Sequence, residues 1–228
     1  MRLSRPLVLA VLRTTRLGAL AVTSVISVFL LGFPLLAGLR HTLRDLDVSV
    51  LYHLSLIVAL AGAAFVLDDN AHETLAAMPT GRARVAVVRL TAGFLMLMPV
   101  WGIQLLVTPQ LIVTEQQIPV LGLAIEGPVL LVCVWAVAAC SLRRFDGHGS
   151  TVALPAALIG SATLFFLPEP VALFVNPAAP DFPASRIRFA VLGLLGLGVL
   201  VQSLRARPPR PRRVGGTVKP TRSGCRKA

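Results

Sequence analysis

One acid, Glu126, stands inside the stretch VLGLAIEGPVLLVCVWAVAACSL, where every other residue is uncharged. It lies six residues beyond Val120, about 9 Å along a helix that rises 1.5 Å per residue. A carboxylate at the middle of a membrane helix costs on the order of 2.5–3.5 kcal/mol, and less toward an interface. Glu126 therefore calls for protonation, a polar neighbour on another helix, or a wet cavity. It is a candidate for lining a substrate path or fixing helix packing; the alternative is a carboxylate near enough to the surface to reach water. His53 and Gln104 fall inside other apolar stretches and are candidate partners, but the sequence does not pair them.

Other chemistry is excluded by what the residue types cannot supply. The two lysines, Lys219 and Lys227, both lie near the C-terminus, and neither follows the glycine run of a phosphate-binding loop. ATP hydrolysis by that route is ruled out. The histidines at 41, 53, 72 and 148 lack the helical pair spacing of a zinc protease. No serine sits in a nucleophile elbow, and Cys133, Cys140 and Cys225 have no metal spacing. The reading is a protein that is not an enzyme, with no catalytic residue, no metal site and no cofactor. Gly193, Gly196 and Gly198 lie inside an apolar stretch, where small residues more often permit close helix packing than bind a nucleotide.

The elements that must position these residues follow from composition. Of 228 residues, 55% are apolar and 14% charged, against about 25% charged in soluble domains. The charges fall outside six long apolar runs, near Leu17–Ala37, Val48–Leu67, Leu90–Thr108, Val120–Leu142, Thr151–Leu167 and Phe189–Leu204. Roughly 20 apolar residues cross the hydrocarbon core, and the runs do not alternate as barrel strands do. The expected fold class is an all-α membrane protein with about six transmembrane helices. With the N-terminus inside, 18 of the 22 Lys and Arg residues fall on the inner side. That bias places both termini in the cytoplasm of a multi-pass plasma-membrane protein. The net charge of +12 then belongs to membrane flanks rather than to nucleic-acid binding.

Two domains are expected, a transmembrane unit over 1–204 and a basic, Pro- and Arg-rich disordered tail over 205–228. Arg2, Arg5, Arg13 and Arg16 fall on one side of a helix wheel, which predicts an N-terminal helix lying in the interface. The longest inner connection reads DDNAHETLAAMPTGRARVAVVRL from Asp68 to Leu90. Asp69 and Asn70 can cap a short helix, Pro79 interrupts it, and a basic helix then rises toward the third run.

Within that connection, Glu73, Thr74, Leu75, Pro79, Arg82 and Arg89 resemble a segment of ABC-2 type permeases, the membrane subunits of type-2 ABC exporters. The family pattern there is an acidic stretch, a Thr-Leu pair, a short helix ending in Pro, then a basic residue and a rising helix. Glu73 stands where the family often has Gly, and Arg89 where Lys is common. High-GC bacterial members often carry an aspartate-rich version of this loop. The layout of an interfacial helix, six spans and cytoplasmic ends is also similar. The resemblance implies a permease that couples a separate ATPase subunit to export and pairs with a second permease copy or a related one. It implies that Glu73, Thr74, Leu75, Met78, Pro79 and Arg82 dock on the ATPase. The rival readings are a secondary transporter or channel using Glu126, although no internal repeat is evident, and a non-transporting assembly or immunity protein.

Overall fold

The computed structural model describes residues 17–39, 45–68, 82–111, 120–142, 150–165 and 180–205, with residues 15, 43, 167–168 and 173–175 between them. The predicted interfacial helix over 2–16, apart from Thr15, and the tail beyond Arg205 lie outside the described residues. The described residues form six α-helices: α1 (Leu17–Leu36), α2 (Asp45–Ala63), α3 (Arg82–Leu111), α4 (Val120–Ser141), α5 (Ser150–Phe165) and α6 (Phe182–Arg205). Four of them, α1, α3, α4 and α6, are long and apolar enough to cross a membrane; α2 and α5 are shorter apolar helices. The chain is an all-α membrane protein, as its apolar runs predict.

Two helices begin well before their apolar runs. Helix α3 starts at Arg82, so the expected basic helix and the third run are one continuous helix, and α6 starts at Phe182 rather than Phe189. In both cases arginines interrupt the apolar stretch without interrupting the helix, because arginine is a good helix former. Prolines at 34, 99, 128 and 155 sit inside helices. Membrane helices tolerate them because neighbouring groups can satisfy the freed carbonyls.

The helices pack as two groups of three. Helix α1 lies against α2 and α3, while α4 lies against α5 and α6. The groups meet along a seam where α2 contacts α4 and α5. Helix α4 is the most enclosed of the four long helices: 61% of its most apolar stretch is buried, against 11% for α6. Large apolar side chains point outward, among them Val25 on α1, Leu106 on α3, and Ile187 and Leu194 on α6. Polar side chains point inward, where water is absent and each needs a partner within the bundle.

Close approach depends on glycine at two contacts. A Cβ on Gly62 would collide with Thr23 and with the backbone at Leu20, so Gly62 lets α2 lie directly on α1. Gly193 and Gly196 face Val129 and Cys133 on α4, whereas Gly198 faces open space. The first two therefore act as packing glycines between α6 and α4.

A first polar knot ties the α1–α3 group together. The Gln104 amide donates to the hydroxyls of Ser27 at 2.6 Å and Ser55 at 3.3 Å. Ser27 in turn donates to the Ser55 carbonyl at 2.6 Å. Gln104 thus pairs with serines of α1 and α2 and belongs to the internal packing of its own group.

Candidate functional site: a buried charge cluster across the seam

Glu126 is fully buried on α4, one and a half turns from its start. Both carboxylate oxygens lie against side chains of other helices. Oε1 accepts a hydrogen bond from the Arg186 guanidinium on α6. Oε2 lies 3.0 Å from Nε2 of His53 on α2. The carboxylate therefore bridges three helices and both helical groups. His53 is the sequence-predicted candidate that meets Glu126; Gln104 does not.

The cluster draws contacts to Arg186 and His53 from several elements. Nη1 of Arg186 also donates to the Gly122 carbonyl at 2.8 Å, and its Nε donates to the Ser185 hydroxyl at 3.2 Å. Its planar head lies over the Phe182 ring at 4.1 Å and near the Phe189 ring at 5.0 Å. Aromatic faces carry partial negative charge and stabilise a guanidinium that has lost water. Phe174, from the connection between α5 and α6, packs 4.4 Å from the His53 ring and 5.8 Å from Phe189. The Tyr52 hydroxyl donates to the Leu123 carbonyl at 3.3 Å, adding a second link between α2 and α4. Burial grades across the set: Glu126 is 0% exposed, His53 2% and Arg186 11%. The arginine is the member nearest the surface.

This arrangement answers the cost of burying Glu126. The positive guanidinium compensates the carboxylate at contact distance, and its Nη1 and Nε make further hydrogen bonds to Gly122 and Ser185, which helps a buried ion pair to persist. Arg186 is the member that the sequence does not identify, since it reads as one of four basic residues in outer connections. A signal was nonetheless present: Phe182, Arg186 and Phe189 recur at helical spacing and so share one face.

A second cluster closes the opposite end of the seam. Asp68, just past the end of α2, is 1% exposed. Its carboxylate accepts from the backbone N–H of Ser150 at 2.8 Å and from the Ser150 hydroxyl. Ser150 is the first residue of α5, so Asp68 caps that helix from another element and places negative charge at its N-terminus. Arg89 on α3, 3% exposed, directs its guanidinium to the carbonyls of Asp68 at 3.3 Å and Leu67 at 3.5 Å. Midway along the seam, the Trp135 indole donates to the Ala63 carbonyl at 3.2 Å.

Of the remaining sequence-predicted site residues, Glu73, Thr74, Leu75, Met78 and Pro79 lie outside the described residues, and Arg82 opens α3 with its side chain outside them. Among the described residues no three His, Cys, Asp or Glu side chains are grouped to hold a metal ion. Comparison with protein-family models, with curated proteins and with solved structures finds no match to this chain.

Proposed function

We propose that this chain is the membrane-spanning permease subunit of an ATP-driven exporter of the ABC-2 type, working with a separate ATPase and with a second permease copy or a related permease. In this reading it resides in the plasma membrane with both termini in the cytoplasm. The observation that supports it most directly is how the connection between α2 and α3 is rooted. Asp68 precedes the stretch that resembles a coupling element, Arg89 lies near its end, and both are buried. Arg89 grips the carbonyls that end the α2 segment, and Asp68 holds the start of α5.

A docking element must transmit displacement, so its roots must be fixed to the parts that move. Here a push on the connection acts at once on α2, α3 and α5, at the seam between the two helical groups. In this reading that end of the seam faces the cytoplasm, where an ATPase would bind, as the inner-side charge bias suggests. The chain lacks the lysine of a phosphate-binding loop, which accords with hydrolysis in a partner.

Leu75 and Met78 are three residues apart, the spacing that puts two apolar side chains on one helical face. They suit a groove on the ATPase in the helix-in-groove manner. Replacing both with Asp is expected to leave membrane insertion intact and abolish recovery of the ATPase encoded beside this gene in a mild-detergent pull-down. Equal recovery with the wild-type and the doubly substituted chain would remove the connection from the interface.

A further inference from the structure

Gly193 and Gly196 seat α6 on α4, and the opposite side of the helix is left to the membrane. Leu194, Leu197, Gly198, Val201, Gln202 and Arg205 recur at spacings of three and four, so they share that outer side. Together they line an open groove of about 730 Å³. Gly198 forms its floor, since a Cβ there would meet nothing within 4 Å. Leu194, Leu197 and Val201 give it apolar walls and are 70%, 47% and 37% exposed. One end is charged. Arg205 stands exposed in the last turn of α6 and meets no carboxylate among the described residues.

We infer that this groove seats one phospholipid with an anionic headgroup, an acyl chain lying over Gly198 and the phosphate at Arg205. The length of the groove fits that occupant. Arg205 lies eleven residues beyond Leu194, about 16 Å along a helix axis, and one leaflet supplies about half of a 30 Å hydrocarbon core. The charge fits as well, because a guanidinium is always protonated and presents a fork of donors that matches phosphate oxygens. Arg207, Arg210, Arg212 and Arg213 follow directly in the sequence. A basic run at the end of a span draws anionic lipids to the membrane surface beside it. A second copy of the chain is the competing occupant. A two-fold axis along the membrane normal sets each residue of such a face against itself. It would bring Arg205 against Arg205, and α6 carries no acid to offset them. An anionic lipid turns the same charge into an attraction. This inference does not depend on the identity of any transport partner.

The test uses the full-length chain, delipidated in mild detergent and titrated with phosphatidylglycerol or with phosphatidylcholine of the same acyl chains. Native mass spectrometry reads the lipids retained on each chain. The wild type is expected to retain a single phosphatidylglycerol at about fivefold lower concentration than phosphatidylcholine, the effect of one arginine beside an anionic headgroup. Arg205→Gln should abolish that preference, and Arg205→Lys should keep most of it. Replacing Arg207, Arg210, Arg212 and Arg213 with Gln should leave it in place, which separates a seated lipid from general attraction to the basic run. Gly198→Leu fills the floor of the groove without meeting a neighbour and should lower retention of both lipids. Gly160→Leu, at a glycine on α5 whose Cβ would also meet nothing within 4 Å, should not. Equal retention of the two lipids by the wild type would overturn the proposal, and so would unchanged retention in Gly198→Leu. Loss of a dimeric mass in Gly198→Leu with lipid retention unchanged would give the groove to a second copy instead. If Gly198→Leu does not fold, the comparison of Arg205→Gln with Arg205→Lys still decides.

Discussion

The two ends of the seam are fastened by charged residues in different ways. At one end, Asp68 and Arg89 meet backbone groups: the N-terminus of α5 and the carbonyls of Leu67 and Asp68, in the turn that follows α2. Helix termini leave four N–H or four C=O groups without partners, so a buried charge there meets groups that need it anyway. At the other end, Glu126 sits inside α4, where backbone groups are already paired. It must be satisfied by side chains, and these come from two other helices. The first cluster engages backbone groups at the ends of elements; the second joins tertiary elements through side chains.

That contrast implies unequal responses to substitution. Glu126→Leu is expected to have the largest effect, about 3–5 kcal/mol, because it strands the Arg186 charge among Phe182, Phe189 and α4 without its partner. Adding Arg186→Met to Glu126→Leu should recover much of that loss, since exchanging a buried pair for apolar residues is often neutral or better. Thermal midpoints of the two variants in mild detergent decide the point. A double variant no more stable than Glu126→Leu would show that the cluster stabilises through something other than mutual compensation. Next in size is Asp68→Ala, expected to cost about 1–3 kcal/mol by leaving the buried Ser150 N–H and hydroxyl without their acceptor. Because α5 begins there, the loss should appear first as fraying of α5, read as faster amide exchange at its first turn.

The helices were legible in the sequence because each long apolar run is a direct statement of hydrocarbon contact, and Glu126 was legible because a charge within such a run is rare. Its partner His53 could be named as a candidate but not paired, since the pairing depends on how α2 rotates against α4. Arg186 was hidden for a different reason. Apolar-run reading ends a span at the first charges, whereas the helix continues through Ser185, Arg186 and Arg188 because the backbone responds to propensity and packing. The reach of α3 back to Arg82, by contrast, was legible as the basic helix expected after Pro79. Asp68 read as the start of a cytoplasmic connection, and nothing local reveals that it caps α5, 82 residues further on. Long-range capping leaves no periodic trace in a sequence.

The smallest expected effect concerns Ser150, and it separates the two bonds that Asp68 accepts. Ser150→Ala removes the hydroxyl but keeps the backbone N–H, 2.8 Å from Oδ1. A single hydrogen bond to a charged group contributes about 1.5–3 kcal/mol, but here the carboxylate retains the N–H at the start of the helix. Loss of the hydroxyl alone is therefore expected to lower stability by about 1 kcal/mol. Ser150→Pro keeps a backbone angle suited to the first turn of a helix but removes the N–H as well as the hydroxyl. It should approach the effect of Asp68→Ala, because both leave the carboxylate–helix contact unmade. The ordering Asp68→Ala and Ser150→Pro well below Ser150→Ala in thermal midpoint marks the backbone bond as the fastening. If Ser150→Ala falls as far as Ser150→Pro, the hydroxyl carries the contact, and the two ends of the seam are both held by side chains after all.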